Sequence, residues 1–348
     1  MNQLFRWDQM GLFLLALAAG ILPFAVPEVC AAALREGLTL CSGPLLLSLF
    51  PFLVVSRLLI QCPESDLLAL LFRLAAWGIG IRTPCAARVL CIGFLGGFAP
   101  AASAAAQAVR TGQLTAEEAD ALLPACICSG PSFVVLTVGQ SLLGSAELGV
   151  LLFASQITAN YLTAALLNRF VGVRSVKPGS AAPASPAPPR LDEILADAAI
   201  TYCKLCGFIL FFRMLAAGAG ALLPAGAGTL CSILLEVCSG CDLASRTRRW
   251  GSLLCCAALS VQGLSVLLQV RTICPPEMTL RPLYRARLLH LPLSLALFYL
   301  LLPGGEADVF STLPARVLLM RRVPPDCALL VFAVCCMAAC TLRSGIRQ

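Results

Sequence analysis

The chain has 348 residues, of which 25 are Lys or Arg and 18 are Asp or Glu, for a formal net charge of +7. Apolar side chains make up 59% and mean hydropathy is +0.88, against about 45–50% apolar and about 25% charged in a soluble domain. That composition excludes a soluble enzyme, a disordered chain and a nucleic-acid binder. It predicts an all-α, polytopic protein of a cell membrane, with the lipid bilayer as its first partner and its basic excess biased toward one membrane face.

A spanning helix needs about 20 mostly apolar residues. Reading between charges places such stretches at 9–27, 37–56, 89–109, 121–146, 148–168, 214–235, 250–270 and 288–305, with a shorter one at 327–342. Arg6 precedes the first stretch, as in a signal peptide, but its length, Pro23 and the later stretches favour an uncleaved helix. Residues 176–190 hold five prolines among small residues, which disfavours helix and predicts an extended linker. The chain thus divides into a first membrane half at 1–170, a linker at 171–190 and a second membrane half at 191–348. Arg169, Arg174, Lys177 and Arg190 place the linker in the cytoplasm.

The stretch 250–270 has basic clusters at both ends: Arg246, Arg248 and Arg249 before it, Arg271, Arg281, Arg285 and Arg287 after. A crossing would put one cluster outside. A hairpin of two half-helices, broken at Gln262-Gly263, would keep both inside. The stretch 121–146 carries a comparable interruption at Ser129-Gly130-Pro131 and reads as a hairpin from the other face. Paired re-entrant or broken helices of opposite sense are the signature of two inverted-topology repeats. The halves can be laid over one another: Gly96-Gly97-Phe98-Ala99-Pro100 precedes Cys128-Ser129-Gly130-Pro131-Ser132-Phe133 in the first, and Glu236-Val237-Cys238-Ser239-Gly240 precedes Ser260-Val261-Gln262-Gly263-Leu264-Ser265 in the second.

Unwound backbone inside a bilayer is tolerated only where it faces protein, water or a ligand, and half-helix N-termini present partial positive charge. The alternative is that such residues are kinks that let helices pack closely. Glu236 closes the uncharged stretch 214–235. At membrane depth a carboxylate marks an ion or proton path; at a helix end it is a hydrated interfacial group. Gln262 and Gln269 read as cavity lining or as bridges between helices, and His290, the one histidine, as an interfacial residue. The candidate ligand-binding set is Gly97, Ser129, Gly130, Pro131, Ser132, Glu236, Ser239, Gly240, Gln262, Gly263 and Gln269. Backbone and hydroxyl groups would coordinate, Glu236 would supply charge or proton coupling, and the glutamines would supply amide hydrogen bonds.

One histidine excludes HExxH and most His-based triads, and neither a Walker loop nor a nucleophile elbow occurs, so no enzyme, cofactor or metal is expected. The 19 cysteines lie mostly inside apolar runs and read as small packing residues. Two C-x-x-C pairs, Cys203–Cys206 and Cys238–Cys241, leave a membrane thiol or metal protein as a distant reading.

These motifs, in this order, together with Gly112-x-Leu114-Thr115-x-Glu117-Glu118-Ala119, Gly263-Leu264-Ser265-Val266-x-x-Gln269 and Tyr284-x-x-Arg287-x-x-His290, resemble the sporulation integral membrane protein YlbJ family, over about residues 45–303. Ala101, Ala102 and Ser103 stand where that pattern has Gly and Lys, and Gln262 stands where it has the first of two glycines. The resemblance implies a nucleoside-recognition or Gate domain, related in pattern to parts of nucleoside permeases, and a part in spore cortex or envelope formation. The expected function is therefore transporter-like, moving or sensing a small polar solute with or without a coupling ion, as a monomer or homo-oligomer. The alternative is a non-transporting scaffold that keeps the fold and recruits sporulation proteins.

Overall fold

The computed structural model describes residues 2–61, 69–171, 191–247 and 250–302. Among the described residues every regular element is helical. The first half holds α1 (Asn2–Ala25), α2 (Pro27–Ser42), α3 (Pro44–Gln61), α4 (Leu70–Gly78), α5 (Pro84–Gly96), α6 (Phe98–Arg110), α7 (Ala116–Cys126), a π-helical segment (Ser132–Leu142) and α8 (Ala146–Val171). The second half holds α9 (Leu191–Leu222), α10 (Ala225–Leu235), α11 (Val237–Ser245), α12 (Gly251–Val261), α13 (Gly263–Ile273) and α14 (Arg281–Leu301). The linker at 172–190 and the stretch 327–342 lie outside the described residues.

Among the described residues three helices are long and apolar enough to cross a membrane: Ala146–Phe170, Leu191–Leu222 and Gly251–Ile273, the last interrupted at Gln262. The bent pair α1–α2 makes a fourth if counted as one span; its axis turns by 110°, because Pro27 at the first position of α2 pushes the preceding residue out of helical geometry. Large apolar side chains point outward on these helices, Phe24 at 88% and Phe170 at 83% exposed. In water that surface would drive association; in hydrocarbon it is the solvated face. The chain is a membrane protein on this evidence.

Several expected stretches are redrawn. The stretch 37–56 is cut at Gly43, where Pro44 opens α3. The stretch 214–235 is not one span: α9 begins at Leu191 and crosses Arg213, and α10 is a separate short helix. The stretch 89–109 folds back at Gly97, bringing Gly93 against Ala101. A second fold-back at Glu236 brings Gly240 against Ile233. The stretches 121–146 and 250–270 do not pack arm against arm about their own interruptions, as the expected hairpins would. Residues 251–273 run as one interrupted span, and the close fold-back near 121–146 joins the π segment to α8, where a Cβ on Gly139 would lie 2.4 Å from Gly149 Cα. Fold-back needs close backbone approach, and each of these contacts has a glycine on at least one arm: Gly93 against Ala101, Gly139 against Gly149 and Gly240 against Ile233.

Small residues also set the core around α6. Ala101, Ala102, Ala104, Ala105 and Ala108 are each fully buried, so α6 presents nothing longer than a methyl group at these positions where it packs against α3, α5, α7 and α13. Helix association in lipid rests on this close packing, since lipid tails remove the usual hydrophobic drive. α7 opens with a capping box: Thr115 accepts from the Glu118 N–H while the Glu118 carboxylate accepts from the Thr115 N–H.

Candidate functional site

The interruptions meet in the middle of the molecule. Gly97 is the tip of α5–α6 at φ +81°, and a Cβ there would lie 2.6 Å from Gly130 N and 2.9 Å from Gly130 Cα. Gly263 opens α13 at φ +66°, and a Cβ there would lie 3.0 Å from Glu236 N and from the Leu235 carbonyl. Each fold-back tip therefore rests on one interrupted helix through a glycine, because any side chain would separate the backbones. The two interrupted helices touch each other as well: Gln262 Nε2 donates to Ser129 Oγ at 3.3 Å and to Leu259 O at 2.6 Å. Gln262 is itself left-handed, φ +65°, a conformation that glycine adopts without strain. Its side-chain bond to Leu259 O holds that conformation.

Glu236 is 2% exposed and stands at the tip of α10–α11. Its carboxylate accepts from Cys238 N at 2.8 Å and Ser239 N at 2.7 Å. It is the N-cap of α11, where the free N–H groups and the positive end of the helix stabilise a negative charge. The sequence left open a hydrated interfacial carboxylate; here the group is enclosed.

A cavity of about 60 Å³ lies against these tips, lined by Ser129, Gly130, Ser132, Glu236 and Gln269 among apolar neighbours. That volume holds a few waters or a small polar group. Two orphan acceptors lie in this region: neither Gln269 Oε1 nor Gln262 Oε1 has a hydrogen-bond partner, although both residues are 1% exposed. A larger polar cavity of about 190 Å³ shares Gln269 and opens among Arg57, Ser103, Arg110, Asp197, Thr201 and Lys204. A third, of about 550 Å³, includes Ser239 with Glu36, Arg213, Ser232, Asp242 and Arg246. Helix α9 lines all three in sequence, with Asp197 to Lys204 on the first, Ile209 on the middle and Arg213 to Ala221 on the last. At 1.5 Å per residue, Asp197 and Arg213 are roughly 24 Å apart along it. An ion pair stands in each outer cavity: Arg57 Nη1–Asp197 Oδ2 at 2.5 Å ties α3 to α9, and Arg213 Nη2–Glu36 Oε2 at 2.8 Å ties α9 to α2.

Of the expected set, Ser129, Gly130, Ser132, Glu236 and Gln269 share the central cavity, and Gln262 reaches it through Ser129. Gly97 and Gly263 do not line it but abut residues that do, Gly130 and Glu236. Pro131 is the N-cap of the π segment and makes no side-chain cap bond. Ser239 belongs to the outer cavity, and Gly240 serves the α10–α11 fold-back.

Other buried polar groups carry weight that the sequence did not assign. Arg287, 7% exposed, donates to Ile127 O at 2.9 Å, Ser260 O at 3.3 Å and Asn160 Oδ1 at 3.3 Å. Gln156 Nε2 donates to Ser260 Oγ at 3.0 Å, and Ser260 Oγ lies 2.5 Å from Ser294 Oγ. His290, expected at the interface, is 1% exposed, its Nε2 lying 3.2 Å from Gln156 O. Asp120 accepts from Thr279 N, Thr279 Oγ1 and Leu280 N, at 2.8, 2.7 and 3.0 Å. The signal that could have found Arg287 is its i, i+3 spacing to His290 at the point where the basic cluster gives way to the apolar run. Cys241, Cys255 and Cys256 are fully buried packing residues, and among the described residues no group of three or more His, Cys, Asp or Glu converges as a metal site would.

Compared with known protein families, curated proteins and solved structures, the chain matches none.

Proposed function

We propose that this chain is a multi-pass, transporter-like membrane protein whose solute site is the central cavity. In this reading α5–α6 and α10–α11 are re-entrant hairpins of two inverted repeats, each resting on an interrupted helix, α7 with the π segment or α12–α13. The carrying observation is that Ser129 and Glu236, at two separate interruptions, and Gln269 of α13 line one cavity, with a further cavity on either side along α9. Ionisable groups at membrane depth are costly and mark ion or substrate paths, and α6, the π segment and α13 begin at these interruptions without a side-chain cap. Their free N–H groups suit a small polar solute with acceptor atoms. The motif resemblance to the YlbJ family adds the proposal that this solute serves spore cortex or envelope formation.

A scaffold is favoured by one observation: the Glu236 carboxylate is already satisfied by its own backbone, as a purely structural cap would be. Counterflow in proteoliposomes, with radiolabelled uridine, phosphate and glutamate as probes, separates the readings. Transport predicts saturable uptake of at least one probe that falls tenfold or more in Glu236→Gln. A scaffold predicts no uptake, and restoration of spore formation by Glu236→Gln in a spore-forming host lacking its own copy.

A further inference from the structure

Arg287 is a guanidinium enclosed in protein with no acid beside it: among the described residues the ion pairs are made by other groups, and its partners are neutral oxygens. Those oxygens have a common origin. Ile127 is the C-cap of α7, Ser260 lies in the last turn of α12, and Asn160 of α8 also donates to Ile127 O, at 3.2 Å. Both helices end inside the molecule, so their last carbonyls lack helical partners and carry the negative end of the helix dipole. Two backbone carbonyls at the C-termini of two interrupted helices and an amide oxygen of α8 surround the two Nη atoms of one guanidinium, and carbonyls at broken-helix C-termini are the kind of donor that takes up a monovalent cation in membrane proteins. Here the chain's own guanidinium is in that place. A solvated surface arginine would show none of this, and a packing role alone would not aim two forks of the guanidinium at two helix ends.

We propose that Arg287 is a resident counter-cation: it fills a carbonyl cage formed by the C-termini of α7 and α12, so that the crossing of the interrupted helices is held together without an external Na⁺ or K⁺ at this point. The proposal stands on this geometry and does not require the transport reading. Removing the side chain to Cβ should turn the cage into a vacant cation site.

The test is thermal unfolding of the detergent-purified full chain in equal concentrations, about 20 mM, of sodium, potassium, guanidinium or choline chloride. Wild type and Arg287→Lys should show the same Tm in all four salts. Arg287→Ala should unfold earlier in choline and recover by about 3 °C or more in guanidinium or sodium, since a ligand that binds only the folded state raises Tm. The proposal is overturned if wild-type Tm rises selectively with sodium or potassium, or if Arg287→Ala recovers in none of the salts. Should Arg287→Ala not yield folded protein, Arg287→Lys against Arg287→Met decides: a stable Lys variant with an unstable Met variant upholds the counter-charge, and a Met variant as stable as Lys or more so refutes it.

Discussion

The two fold-back tips solve the same geometric problem with different chemistry. At the first, Gly97 meets Gly130 backbone to backbone and no charged side chain takes part. At the second, Gly263 meets Leu235 and Glu236, and a carboxylate caps the returning helix α11. In both, one glycine removes the Cβ that would hold two chains apart. The first tip is therefore a steric device whose helix α6 begins without a side-chain cap, whereas the second has its helix N-terminus neutralised from within. At the tips themselves the charged group belongs to the second half, and the first tip supplies shape.

Breaking this contrast should cost most at Gly97. A Cβ 2.6 Å from Gly130 N at φ +81° is both a clash and a left-handed strain, so Gly97→Ala should destabilise by about 3 kcal/mol or more, read as loss of a monodisperse peak in size-exclusion chromatography. Gly263→Ala, with its nearest backbone at 3.0 Å, should cost less, about 1–2 kcal/mol, and leave a folded protein of lower Tm. Equal losses at the two sites would remove the distinction drawn between them.

Asp120 joins the halves from outside the tips, tying α7 to the turn that launches α14 at Leu280, itself left-handed at φ +56°. Asp120→Ala would leave two backbone N–H groups and one hydroxyl without their acceptor, an expected loss of about 2–3 kcal/mol, with faster hydrogen exchange at 278–281 as the local signature. The smallest effect is expected at Asp197, whose carboxylate is 62% exposed beside Arg57. Asp197→Asn should change stability by less than about 1 kcal/mol in a Tm measurement.

Much of the central site was legible because its residues are local oddities. A Ser, Gly or Gln inside an apolar run is visible one position at a time, and Ser129, Gly130, Ser132, Glu236 and Gln269 do share a cavity. The fold-back positions were not legible. Gln262-Gly263 reads like a hairpin tip, yet two left-handed residues interrupt a span that continues, while Gly96-Gly97 and Glu236 turn the chain back. Basic residues at both ends of 250–270 misled for a related reason. Arg287 belongs to the buried cage rather than to a loop, so counting it with Arg271, Arg281 and Arg285 overstated the charge outside the helix.

Span limits failed on the same physics. Reading between charges began a span only after Arg213, at 214–235, because a lone arginine in lipid is expensive. Glu36 stands on a different helix, 177 positions away in sequence, and satisfies it. Composition and the order of apolar runs determined by themselves that this chain is helical, suited to a bilayer, and interrupted by small and polar residues at set places, since burial in hydrocarbon acts on each segment separately. Which interruptions turn and which continue, and which charges are tolerated within a helix, was decided only by the tertiary structure. Those outcomes depend on partners that meet through space: Gly130 under Gly97, Glu36 beside Arg213, and two helix ends around Arg287.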